Sequence, residues 1–173
     1  MPIGAATDRL RCASHAVKPG SRSELVSEVV ESASRKVPLH LWLVGVIGIL
    51  WNAMGAFDYL MTETENQQYL SEFTPEQLEF FLGFPAWVIF FWAIAVWGGV
   101  LGALLLLLRK RLATSVLLVS FFAMIVTSIH NFFMADGLAV MGPAGLAFSL
   151  MIFLAALGLW IYARVMSKRG ILG

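Results

Sequence analysis

Four long apolar runs, at about residues 39–61, 85–108, 112–135 and 143–166, constrain this chain more than any other feature of it. Each is long enough to cross a bilayer, whose hydrocarbon core of roughly 30 Å takes about 20 helical residues. Lipid offers no hydrogen-bond partners, so a spanning segment must satisfy its own backbone, and a helix does this. Alternating segments that could close a β-barrel are absent. The sequence therefore predicts an all-α membrane protein, a bundle of four transmembrane helices. Hydrophobic residues make up 59% of the 173 and charged residues only 13%. A soluble domain carries about 25% charged residues, so lipid rather than a buried core is the cover these runs require.

Charge sets the expected orientation. All of the 12 Lys and Arg residues fall on one predicted side of the membrane. Arg9, Arg11, Lys18, Arg22, Arg35 and Lys36 precede the first span; Arg109, Lys110 and Arg111 join the second to the third; Arg164, Lys168 and Arg169 close the fourth. The opposite side holds Glu63, Glu65, Glu72, Glu76, Glu79 and Asp136, with no basic residue. Basic loops stay in the cytoplasm, which predicts that both termini are cytoplasmic. Trp42, Tyr59, Trp87, Trp160 and Tyr162 lie near the expected interfaces, where amphipathic rings settle. A net charge of +1 gives no basic field suited to nucleic acid.

The segments between spans are also readable. Residues 1–37 form a predicted cytoplasmic tail, 38–168 the membrane domain and 169–173 a cytoplasmic end. The stretch from Cys12 to Val17 is short and interrupted by Ser14 and His15, so no cleaved signal is expected, and the lone Cys12 forms no intramolecular disulfide. From Arg22 to Lys36, Leu25, Val26, Val29, Val30 and Ala33 recur at helical spacing among Glu24, Glu28 and Glu31, predicting a short amphipathic helix. In the first outer loop, Thr74-Pro-Glu-Gln77 has the pattern of a helix start, with Thr as cap, Pro in the first turn and Gln at the return position. It predicts a short interfacial helix over 75–82. Asn52 to Asp58 at the end of the first span, and Asn131 to Asp136 at the end of the third, suggest a faint two-hairpin repeat.

Two groups of residues are candidates for packing and chemistry. Gly45, Gly48 and Gly55 on the first span, and Gly98, Gly99 and Gly102 on the second, form stripes that let helix backbones approach closely. Polar residues inside spans are expensive and mark function. Asn52, Asp58 and Tyr59 near the outer end of the first span, with His130, Asn131 and Asp136 near the outer end of the third, form the expected polar pocket. The spacing of Asn52 and Asp58 places them about 120° apart around a helix, so one neighbour cannot face both squarely. His130 and His40 differ in depth by roughly 27 Å and cannot share a metal or haem. No metal site, cofactor site or catalytic constellation is expected.

Trp51-Asn-Ala-Met-Gly-Ala-Phe-Asp-Tyr59, Phe73-Thr-Pro-Glu-Gln-Leu78, Phe84-Pro-Ala-Trp87 and Trp92-Ala-Ile-Ala-Val-Trp-Gly-Gly99 resemble a family of small four-helix bacterial inner-membrane proteins, often labelled sugar transporters. The likeness spans about residues 39–168. It implies a bacterial inner membrane and lends weight to transport, without supplying catalytic residues. Two roles follow from these readings. One is an accessory or scaffold subunit of a membrane complex, using the small-residue stripes and aromatic surface to meet other subunits or a second copy. The other is a transporter of a small polar solute such as a sugar, acting as an oligomer. An enzymatic role is not expected.

Overall fold

A computed structural model describes residues 38–173, so the predicted amphipathic helix at 22–36 and the tail before it lie outside the described residues. Four helices are long and apolar enough to cross a membrane. Pro38 precedes α1 (Leu39–Glu63), which opens in an extended backbone that its ring accommodates. Two short helices follow, α2 (Gln67–Leu70) and α3 (Pro75–Leu82). Pro85 then starts α4 (Ala86–Leu107), and a four-residue turn leads to α5 (Leu112–Ile129). The last turn of that span widens into a π-helix at His130–Met134. After Asp136 comes α6 (Gly137–Lys168), broken at Gly142, where φ is 64° and ψ is −171°, just before Pro143. The chain is a multi-pass, all-α membrane protein.

The four helices of spanning length cover Leu39–Glu63, Ala86–Leu107, Leu112–Met134 and Gly137–Lys168, and the start of the last has a local cause. The expected fourth span begins at Pro143, and the helical path does start afresh there. Gly137–Met141 adds a preceding turn that the Gly-Pro break sets off from the span proper. Gly142 supplies a positive φ that a side chain would resist, and Pro143 cannot continue the hydrogen-bonding of a preceding turn.

Small residues allow α1, α4 and α5 to pack closely. A Cβ on Gly45 would overlap Leu107 on α4, and one on Gly99 would overlap the Asn52 side chain on α1. Gly102 leaves room for Leu117 on α5, whose Cγ would lie 2.5 Å from an added Cβ. Gly98 faces Ser120 and Gly48 faces Leu159 on α6; a Cβ at either glycine would come within 3.0 and 3.3 Å of those side chains, respectively. Gly55 has only ordinary contact with Val96, at 3.7 Å. Hydrogen bonds reinforce this: the Ser120 hydroxyl donates to the Ala95 carbonyl at 2.5 Å, and His40 Nδ1 lies 2.6 Å from the Tyr162 hydroxyl, joining α1 to α6.

The two ends of the bundle differ. At the basic end, Leu41, Leu106, Ala113, Leu117, Ala163, Met166 and Leu172 form a buried apolar cluster. The chain turns back after Gly170, and Gly173 exchanges backbone hydrogen bonds with Arg109 and Arg111, at 2.8 and 3.0 Å. Leu172 is thereby pressed into the cluster with 2% of its surface exposed. At the acidic end, α2, α3 and the π-turn lie between the spans.

Candidate binding recess at the acidic end

The first polar group at this end is built by α1 and α2. Asn66 caps α2 by accepting a hydrogen bond from the Tyr69 amide at 3.0 Å. This holds Tyr69 so that its hydroxyl donates to Asp58 Oδ1 at 2.5 Å. Burial pushes the Tyr69 phenol well above its ordinary value, and the Asp58 carboxylate pushes it further in the same direction. The phenol therefore stays protonated and remains a donor. Tyr59, on the next position of α1, packs edge-to-face against Trp92 of α4 at 5.1 Å.

Asn52 belongs to a different contact. Its amide Nδ2 donates to Gly48 O one turn back at 2.7 Å, and its Oδ1 lies against Gly99. It serves the α1–α4 interface, where a polar side chain in lipid is satisfied by the backbone. The expected single pocket is thus divided. Trp92 contacts Phe84 at 6.1 Å and Phe84 contacts His130 at 5.6 Å, so aromatic rings stand between Tyr59 and His130.

His130 sits at the start of the π-turn, whose defining hydrogen bond runs from Ala135 N to His130 O at 3.0 Å. Such a turn adds one residue to the helical circuit and re-aims side chains; these turns are frequent at functional sites. His130 has 7% of its surface exposed. Trp87 meets its ring edge-to-face at 5.3 Å, and Nδ1 lies 3.3 Å from Asn131 Oδ1. Asp136 takes a left-handed backbone with φ 50° and has an exposed side chain that makes no cap. Gly137 follows tightly, because a Cβ there would overlap the Asn131 carbonyl.

A recess of about 390 Å³ opens beside His130. Its walls include Phe80 and Phe84, with Glu76 and Glu79 on α3 and Val140 at the start of α6. Of the candidate polar residues, His130 lines it, while Asn52, Asp58, Tyr59, Asn131 and Asp136 do not. The position of α3 follows from local chemistry. Thr74 Oγ1 accepts from Gln77 N at 3.3 Å, and Gln77 Oε1 accepts from Thr74 N at 3.1 Å. Glu76 lies in the first turn, where a negative charge suits the helix dipole. Its own backbone amide and the Thr74 hydroxyl hold its carboxyl below the usual range.

Tyr69 and the recess wall had weak signals in the sequence. Tyr69 lies in a polar loop without periodicity, and its bond to Asp58 crosses eleven positions. Phe84, Glu76 and Glu79 each belong to a readable helix start or loop, but their convergence on His130 depends on where α3 lies. Among the described residues, no three His, Cys, Asp or Glu side chains converge to hold a metal ion. Comparisons with protein-family models, curated proteins and solved structures gave no match. The supported description is therefore a four-span membrane protein, without a family assignment.

Proposed function

We propose that this chain is an accessory or scaffold subunit of a membrane complex, and that its last span is the helix that docks. The observation that carries this reading is the unequal cover of the spans. In the most apolar stretch of α6, 6% is buried within the chain, against 22%, 22% and 33% for the other three. Ala147, Met151, Leu154, Gly158, Ile161 and Val165 are all exposed and recur at alternating steps of four and three. That spacing forms a seam along one face of a helix. A Cβ on Gly158 would have nothing within 4 Å, and small residues let a neighbouring backbone come close. The partner is another membrane-protein subunit or a second copy of this chain. The reading assigns no catalytic role.

The proposed setting is a bacterial inner membrane; the complete segregation of basic residues supports the orientation, with both termini in the cytoplasm. Purification in a mild detergent tests the role. A stoichiometric membrane partner, lost when Gly158→Ile blocks the seam, is the expected result. A stable, solitary monomer from the same membranes would contradict it. The second reading is an oligomeric transporter of a small polar solute such as a sugar, favoured by the open recess at one end of the bundle. Under that reading Glu76→Gln with Glu79→Gln, at two exposed residues of the recess wall, abolishes solute uptake into proteoliposomes, and unchanged uptake removes it.

A further inference from the structure

We infer that the groove between α4 and α5 binds an anionic phospholipid, with its headgroup on the basic turn and an acyl chain between the helices. The groove, of about 220 Å³, is lined by Gly98 on α4 and by Ser115, Val116 and Val119 on α5. Gly98 carries no side chain to fill it. The 108–111 turn joins these two helices, so Arg109, Lys110 and Arg111 stand at that end of the groove. All three are exposed, and the contacts with Gly173 engage only backbone groups of Arg109 and Arg111. Among the described residues every Asp and Glu lies towards the other end of the bundle, so no acidic side chain offsets the turn.

Position along α5 orders the chemistry. Arg111, Ser115 and Val119 follow at intervals of four residues, about 6 Å of rise each, and residues so spaced are neighbours on one side of a helix. From the surface inward the order is cation, hydroxyl, aliphatic side chain. A phospholipid presents phosphate, ester and acyl chain in the same order. The exposed Ser115 hydroxyl makes no hydrogen bond among the described residues, and a polar group facing hydrocarbon without a partner is costly. An ester carbonyl of the lipid accepts from it. Arginine matches phosphate oxygens with a planar fork of donors, and the first turn of α5 adds the positive end of its dipole. Basic residues beside clefts between transmembrane helices hold lipid headgroups in this way. A free phosphate would leave the groove empty, and a zwitterionic lipid would set its own ammonium against three cations. The site lies on α4 and α5, so the assignment stands whether or not α6 docks on a partner.

The test uses the full chain in detergent micelles with equal amounts of phosphatidylglycerol and phosphatidylcholine of matched acyl chains. Native mass spectrometry reads which lipid stays bound. The expected result is a single phosphatidylglycerol retained per chain, with phosphatidylcholine roughly tenfold weaker or more. Lys110→Gln with Arg111→Gln should weaken retention of phosphatidylglycerol by roughly tenfold or more. Val119→Trp should lose the retained lipid, because the indole fills the groove. All three positions are exposed, so either variant carries the test if the other does not fold. No retained lipid, equal retention of the two lipids, or unchanged retention in either folded variant would overturn the assignment.

Discussion

Asn52 and Gly99 are a matched pair, because the Asn52 side chain occupies the space a Cβ would take on the facing helix. Gly99→Ala should therefore destabilise the bundle by about 1–3 kcal/mol, the usual cost of overpacking. Adding Asn52→Ala should recover most of that loss, since the smaller side chain vacates the overlap. Unfolding of the single and double variants in mixed micelles checks the coupling; additive losses would show that Asn52 does not set the fit. Tyr69 offers a second test. Tyr69→Phe removes a hydrogen bond to a carboxylate and should cost about 1.5 kcal/mol. Its folded-state pKa is raised, so this contribution is full below the ordinary tyrosine value of about 10. It fades as pH rises above that value toward the folded-state pKa. Unfolding measured at pH 8 and at pH 11 should show the wild-type advantage over Tyr69→Phe shrinking. A chain of local rules made Asn52 and Asp58 visible as polar residues in apolar runs, but their partners were not visible. Gly99 and Tyr69 are brought to them by helix packing and by a loop fold, neither of which leaves a periodic trace.

Among the elements, α3 was the most legible. Its start lies wholly in Thr74, Pro75 and Gln77: the Thr74 and Gln77 side chains satisfy local amides without tertiary help, and Pro75 has no N–H to satisfy. Thr74→Ala should cost about 1 kcal/mol and increase hydrogen exchange at the Gln77 amide, which loses its acceptor. Exchange equal to wild type would mean that packing against the spans, rather than the cap, holds the helix. The π-turn was not legible, because His130–Met134 has the composition of an ordinary span end. The contacts around the turn are ones the sequence does not announce: Phe84 and Trp87 meet His130, and Gly137 fits closely to the Asn131 carbonyl. The segment after α6 was read as a cytoplasmic end, and nothing in a five-residue polar-to-apolar stretch announces that Leu172 enters the core. Burial of that side chain makes Leu172→Ala worth about 2–3 kcal/mol in stability. Thermal unfolding in detergent measures this, and a change below about 0.5 kcal/mol, typical of surface sites, would contradict the observed packing.

For the whole molecule, apolar run lengths and charge placement were enough to read an all-α, four-span architecture, because lipid imposes both. The helices reproduce that architecture, and the short 108–111 turn makes α4 and α5 antiparallel neighbours. The ends of the bundle consequently carry opposite charge: the Arg109–Arg111 turn and Lys168 at one, α3 and its glutamates at the other. What is proposed beyond this is that the charged ends face different compartments, with the basic end in the cytoplasm. The direct measurement is labelling of single cysteines, with Cys12 replaced by Ser, in sealed right-side-out vesicles using a membrane-impermeant maleimide. Ser71→Cys should react in intact vesicles, and Arg111→Cys should react only once the membrane is opened. Reaction of both in intact vesicles, or of Arg111→Cys alone, would contradict the proposed crossing.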